Sequence, residues 1–490
     1  MANTAGGTGR IQKSLDPVAR RILFERNLSD QFNEELPHLC QVDFAHVLML
    51  SEQNIIESNA ARQVMRAIRR LIEQEFAPLR SRPTPRGLFL LYETYLIETE
   101  GAHAGGLLQT GRSRNDLNAT LLRMRLRKPL LDFANAALRL QAVLMRQAGS
   151  YTHTVMPAYT HGQAAEPITY GHYLAGVAEA LTRDITGLID ATEEMNVCPL
   201  GAGAVAGTSL PIDTARTANL LGFSSSCRNS VDAVASRDVP LRLLAAMAIY
   251  GATLSRIATD MNQWLTAEFQ LFSLPDQMVG SSSAMPQKRN PFLLEHVQGR
   301  TASALGAFTH ALAATRNAPF SNAIAVGTES LRPLWGALRD MTDASTLLRL
   351  VIRYAQPCPE RMMERASRGF TNATAVAIQL IKEKQMDFRS AHHRVGQMVS
   401  EAIARDLKSL DELCSANGTG MNIDLSTMDP ETCVDRNKYG GGPAPETLQA
   451  TLRTLRESWL EQHRTLKERA SRWQSAQVRL AQAVEGFCHV

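Results

Sequence analysis

The sequence is poor in the features that mark several common protein classes. Aromatic residues occupy only 6% of its 490 positions. No stretch sustains the period-two alternation that a half-buried strand needs, so a sheet-based fold is not expected. Seven cysteines, at 40, 198, 227, 358, 414, 433 and 488, are odd in number, far apart and never in C-x-x-C spacing, which argues against a thiolate metal site and for a reducing compartment. The 52 basic and 48 acidic residues are dispersed, without the clustered Lys/Arg stripe of a nucleic-acid footprint. The N-terminal "MANTAGGTGRIQKS" lacks the apolar core of a signal peptide, and runs such as "LRLLAAMAIYGATL" are too short to span a bilayer. A cytoplasmic chain without membrane or nucleic-acid contacts is the expectation, and its small surplus of +4 suits an anionic small substrate. No internal repeat is visible.

What is abundant is helix-forming: Ala, Leu, Arg, Gln and Met. Apolar residues recur at three-to-four spacing over Asn118–Gly149, Tyr170–Met195, Pro240–Leu271, Phe292–Thr315 and Glu446–Val484. Successive helices of about 30 residues with nearly all-round apolar faces imply a buried bundle, so the expected fold class is all-α. A chain of this length exceeds what one core supports. Boundaries near 112 and 365 give an N-terminal helical domain (1–112), a central long-helix bundle (113–364) and a C-terminal helical domain (365–490). The helices are interrupted by "TGRSRND" (110–116), the Gly-rich "PLGAGAVAGTSLP" (199–211), and a breaker-rich loop over 417–446.

Three interruptions carry residues suited to chemistry. "GSSSAMPQKRNP" (280–291) does not match the spacing of a phosphate-binding loop. A flexible segment with several hydroxyls and a Lys can instead close over an anionic substrate and supply a base with its counter-charge; a solvated helix connection is the plainer alternative. "TGRSRND" places Arg112, Ser113, Arg114 and Asn115 within four residues, donors wanted by a dicarboxylate, or else forms a polar turn with Asp116 as a helix N-cap. "YTHGQAAEPITYGHY" (159–173) crowds Thr160, His161 and Gln163 just before a helix. A carboxylate holding the imidazole in one tautomer would favour a catalytic His161 over a structural one, and Glu295 is the candidate.

Together, in this order, these stretches resemble the fumarase/aspartase superfamily, and most closely its argininosuccinate lyase branch. "LQTGRSRNDLNAT", "AYTHGQAAEPITYGHYL", "PLGAGAVAGTSLPID", "NSVDAVASRD", "AEFQLFSLPDQMVGSSSAMPQKRNP" and "MDPETCVDRNKYGGGPAPE" all look like family segments. The resemblance implies a homotetramer with each active site shared between three subunits, and anti elimination of fumarate from an N-substituted aspartate without metal or organic cofactor. It implies Ser282 as the base, Lys288 and Asn290 on the carboxylate that accumulates charge, and Ser113, Arg114, Asn115, Thr160 and Arg237 on the succinyl carboxylates, with Gln163 and Ser283 beside them. His161, paired with Glu295, would protonate the leaving nitrogen or orient the group that does.

The chemistry supports those roles on its own terms. A proton beside a carboxylate is barely acidic, so charge accumulating in the transition state needs preorganised donors. A Ser acts as base only with local positive charge and desolvation.

The departures concern the other half of the substrate. Ser281 stands where the family has Gly, with Gly280 one place early; Phe292 replaces the usual Asp after "NP"; Phe89 replaces a His; and Asp43 replaces a Ser. The segment that reads the arginine side in the family is "RNAPFSNAIA" (316–325), with Ser321, Ile324 and Ala325 at positions usually Gln, Lys or acidic. The fumarate half is kept and the amine half rewritten, so argininosuccinate is not the expected substrate. An aminocarboxylate of the ethylenediaminedisuccinate type is favoured. Genuine argininosuccinate lyase, a silent structural homologue like the lens crystallins, and a nucleic-acid-binding helical protein are the alternatives.

Overall fold

A computed structural model describes residues 15–26, 28–84, 86–417 and 429–489. The N-terminal stretch 1–14, and 418–428 within the long C-terminal loop, lie outside the described residues. The expected all-α fold is found. Helices α1 (Leu36–Glu52), α2 (Ser58–Glu73) and α3 (Leu88–Glu100) build the first part. The long helices α4 (Arg114–Ser150), α5 (Tyr170–Ala191), α6 (Asp238–Leu265), α7 (Phe292–Arg316) and α8 (Leu334–Tyr354) form the centre. Helices α9 (Ala373–Lys384), α10 (Phe388–Ala404) and the 45-residue α11 (Pro445–His489) follow.

The central five helices close a ring in which α4 packs on α5, α5 on α6, α6 on α7, α7 on α8, and α8 back on α4. The ring closes because each helix turns an aliphatic stripe inward. On α6 this stripe is Leu243, Met247, Tyr250, Leu254, Ile257, Met261 and Trp264, all buried. The Phe133 ring on α4 meets Tyr250 edge-on at 5.3 Å. Among the described residues α6 is also the one helix long and apolar enough to cross a membrane, although its sequence had been expected to fall short. Its membrane-like composition is that of a core helix, since the stripe is spent inside the bundle.

A second core joins α1, α2 and α3 to the start of α4 and to residues 198–223. Both cores are completed by α11, which places Leu448, Leu455, Leu466 and Trp473 in the bundle and Leu480, Val484 and Cys488 in the N-terminal core. We propose that the units are better drawn by core than by linear boundaries at 112 and 365. The junction is fastened by Arg127, whose guanidinium lies over the rings of Phe223 (4.5 Å) and Trp473 (5.2 Å) and donates to the Leu221 carbonyl at 2.8 Å. Arg62 and Arg66 on α2 donate to the carbonyls of Phe487 and Cys488, satisfying acceptors that the end of α11 would otherwise leave open. A small third core surrounds α9 and α10.

Helix ends differ locally from expectation. α6 stops at Leu265, not Leu271, and the chain then turns through Gln270 in a left-handed conformation (φ 52°). α5 gives way after Ala191 to a 3₁₀ turn over Glu193–Asn196. Four two-stranded pairs, which the lack of alternation had hidden, occur among the described residues. The longest joins β1 (Val155–Thr160) to β2 (Gln163–Thr169). It shows no alternation because its base is covered: Val155 packs with Met363, Ala366 and Val434. Its two-residue turn is His161–Gly162, both with positive φ (54° and 74°), the geometry that matches strand twist.

Leu254 is fully buried in the bundle, so Leu254→Ala is expected to cost about 2–5 kcal/mol. The midpoint of urea unfolding, at unchanged slope, checks this.

Candidate active site

The site begins at the first turn of α4. Ser113, rather than the anticipated Asp116, is the N-cap, and the two form a reciprocal capping box. The Asp116 carboxylate accepts from the backbone N–H of Ser113 and Leu117 with one oxygen, and of Gly201 and Gly203 with the other, each at 2.9 Å. Burial pushes this carboxyl up, against the pull of the N–H groups of Ser113, Gly201 and Gly203. These bonds clamp the Gly-rich loop to the helix start. Gly203 must be glycine there: its φ is +64°, and a Cβ would come within 2.7 Å of the Gly207 carbonyl oxygen.

Around this clamp several sequence candidates converge. Asn115 donates to the Ala204 carbonyl at 2.9 Å and accepts from Asn322 at 2.8 Å. Arg114, the first residue of α4, is exposed. Arg237 is buried at the start of α6, where it donates to the carbonyls of Val234 and Ser236 at 3.0 and 2.7 Å. Burial, and secondarily the repulsion of Arg123, pushes its pKa down to about 10, so it stays cationic at neutral pH. Arg123, Asn322 and Glu93 were not anticipated. Arg123 lies close enough to Arg237 to repel it. Glu93 sits beside Arg112 and Arg114, and burial raises its pKa. Each stands in an unremarkable helical or loop context, and only the fold shows its neighbours.

Arg112 behaves differently from its sequence reading as a carboxylate donor. Its side chain is fully buried in an ion pair with Asp43. Burial pushes the Asp43 carboxyl up and the guanidinium pulls it back. The same burial, with the nearby Arg112 charge, drives His46 down to about 3, so it is neutral and bonds to the Thr110 carbonyl oxygen at 2.8 Å. The departure at Asp43 therefore has a consequence: it occupies Arg112.

The remaining candidates stand at the other end of the bundle. The 37 residues of α4, at 1.5 Å rise each, separate Ser113 from the β1–β2 hairpin by about 55 Å. That hairpin carries Thr160, His161 and Gln163 exposed at its tip, and is held at this end by Tyr159, whose ring lies 6.5 Å from Trp264 and 5.5 Å from Phe269. The strap over 280–291 also follows the C-terminus of α6. It folds as a small antiparallel pair, β3 (Gly280–Ser281) with β4 (Arg289–Asn290). Arg289 fastens its base to Asp276 and to the Leu274 carbonyl, and Asn290 donates to the Ser281 carbonyl oxygen at 3.4 Å. Ser282 accepts from the Met285 N–H at 3.1 Å. Ser283 and Lys288 are exposed. Glu295, in the first turn of α7, is exposed as well. Among the described residues no hydrogen bond or ion pair joins it to His161. Two of the family departures meet here: a Cβ on Gly280 would lie 3.1 Å from the Phe292 ring, so a side chain at 280 would oblige that ring to shift by a few tenths of an ångström.

One chain thus offers hydroxyl, amide and guanidinium groups at one end (Ser113, Arg114, Asn115, Arg237) and hydroxyl, imidazole and ammonium groups at the other. Among the described residues no group of three or more His, Cys, Asp or Glu side chains is placed to hold a metal.

Because Arg112 and Asp43 are wholly buried, Asp43→Ala is expected to cost about 3–5 kcal/mol by stranding a charge, while Asp43→Leu combined with Arg112→Met restores most of the loss. Thermal melts of the single and double variants measure both.

The geometry has parallels among known proteins. Residues 50–306 match a family model described as lyase, and residues 370–435 one described as argininosuccinate lyase C-terminal. Argininosuccinate lyase 1 of Shouchella clausii is 30% identical over 96% of both chains. Argininosuccinate lyase of Methanospirillum hungatei is 36% identical over 85% of this chain and 86% of its own. A solved variant of EDDS lyase with bound fumarate superimposes with a TM-score of 0.86, at 28% identity over 97% of each chain. The chain belongs to the fumarase/aspartase superfamily, in its argininosuccinate lyase-like branch.

Proposed function

We propose that this carbon–nitrogen lyase eliminates fumarate from an N-substituted aspartate whose amine is not arginine, and that each active site is built from more than one chain of a homotetramer. The observation that carries the reading is the separation of the carboxylate clamp from the strap and hairpin by the length of α4. A neighbouring chain running the opposite way would bring one set to the other. The occupied Arg112 and the uncharged segment after α7 support a leaving amine other than arginine. The odd number and wide spacing of the cysteines support a reducing, cytoplasmic setting.

In this reading Arg114, Asn115, Ser113, Thr160 and Arg237 hold the two carboxylates of the succinyl group. Ser282, its hydroxyl made basic by Lys288 once water is excluded, takes the proton from the β-carbon. The C–H electron pair becomes the new C=C π bond as the C–N bond breaks, and the departing nitrogen keeps its pair and takes a proton. Lys288 and Asn290 stabilise the carboxylate on which charge accumulates. His161, with Glu295 of whichever chain faces it, donates that proton or orients its donor. Gln163 and Ser283 complete the polar lining.

Ser282→Ala is expected to lower kcat for fumarate formation by about 10²–10⁴-fold, read as absorbance from a panel of N-substituted aspartates. A parent-like rate would remove Ser282 from the chemistry, no fumarate from parent or variant would leave the chain a silent structural homologue, and efficient release of arginine from argininosuccinate would make it a genuine argininosuccinate lyase. Sharing of sites is tested by mixing: Ser282→Ala and Arg114→Ala, each inactive alone, are expected to regain activity when unfolded and refolded together, because some sites then receive both intact segments. Failure of the mixture to exceed the separate proteins would place the whole site in one chain.

A further inference from the structure

We infer that the amine released with fumarate carries an apolar group and no carboxylate of its own, and that Phe320 and Ile324 form part of the surface receiving it. This rests on the lyase reading above and departs from the aminocarboxylate that the sequence favours, because the structure sets apolar side chains beside the groups assigned to the succinyl end.

The segment after α7 crosses the carboxylate clamp. At one point Asn322 donates to Asn115 at 2.8 Å. Five residues on, a Cβ built on Gly327 would lie 3.3 Å from the Asn322 side-chain oxygen and 3.6 Å from Arg237 Nη2. Side chains on this crossing therefore stand beside the groups that grip the succinyl end, where the nitrogen substituent must pass. No ionisable side chain occurs between Arg316 and Glu329. Phe320 and Ile324 are 68% and 69% exposed, so two large apolar side chains flank the residue that touches Asn115.

Charge is withdrawn at Arg112 and at the strap as well. Of the two guanidiniums in "TGRSRND", Arg112 is neutralised by Asp43 with both side chains fully buried, so its charge is spent inside the chain and its remaining donors lie beneath the surface, out of a third carboxylate's reach. At the strap, the position that is usually acidic in the family holds Phe292, 38% exposed and seated over Gly280. In an assembled site that ring would face the amine, offering a π surface where an ammonium-bearing chain would want a carboxylate. A carboxylate desolvated among Phe320, Ile324 and Phe292 would lack a partner, whereas an alkyl or aryl group would lose water favourably.

The test is addition of amines to saturating fumarate by the intact enzyme, followed as loss of fumarate absorbance. The panel is benzylamine, hexylamine, arginine and N-(2-aminoethyl)aspartate. Benzylamine or hexylamine is expected to exceed the two carboxylate-bearing amines in kcat/KM by about ten-fold or more, within the range a hydrophobic pocket discriminates. Phe320→Ala is expected to raise KM for benzylamine about ten-fold while shifting KM for fumarate less than about two-fold. Preference for arginine or N-(2-aminoethyl)aspartate overturns the inference and leaves the lyase reading standing. So does an equal rise in both KM values, or a loss of native mass in sedimentation, either of which would assign Phe320 to a contact between subunits. If no amine adds to fumarate and no N-substituted aspartate releases it, the lyase reading falls as well.

Discussion

A stiff helix longer than any substrate governs the organisation of this protein. α4 carries Ser113, Arg114 and Asn115 at its start and leads to the histidine hairpin just past its last turn. Its rigidity comes from packing on three sides, by α5, α8 and α11, and from a capped start in which Asp116 saturates four backbone donors. Such a rod cannot fold back on itself, which is why the site proposed above draws its two halves from different copies of the chain. The exposure of Thr160, His161, Gln163, Lys288 and Glu295 in a single chain then has a physical sense. Groups meant to be desolvated by a neighbour have no reason to be buried by their own domain.

The changes relative to the family's usual pattern come in compensating pairs. An aspartate at 43 would be an intolerable buried charge without Arg112 against it, and Arg112 would be equally costly alone. Phe292 packs in its present place against a residue 280 that has no side chain. One pair takes the charge of Arg112 out of a ligand's reach and the other sets a ring at a position usually acidic in the family, while the groups assigned to the succinyl end keep their identities. Specificity in such a site is set as much by what a wrong substrate would leave unpaired as by what the right one gains.

Most of the helical architecture was legible in the sequence because long runs of apolar residues at three-to-four spacing leave little choice of structure. The bounds of α4, α7 and α11 fall within a few residues of the periodic stretches. The hairpin was not legible, since Val155 and its neighbours are covered on both faces and show no alternation; only the His-Gly pair marked the turn. The candidate residues could be named from motifs, but their disposition could not. Nothing local to "TGRSRND" reveals that Arg112 is consumed by a residue about 70 positions earlier, or that Asn322 reaches back to Asn115. Those facts depend on tertiary packing, which single-sequence periodicity does not encode.

The path of α11 has a further implication for how the chain matures. The N-terminal core, built by α1 to α3 and the start of α4, is finished by Leu480, Val484 and Cys488, roughly 350 residues beyond Met124. At about 5–20 residues per second of synthesis, the early helices wait for the better part of a minute with an apolar groove unfilled. The first unit to emerge is thus among the last to close, and its unfinished face is a place for a chaperone to hold.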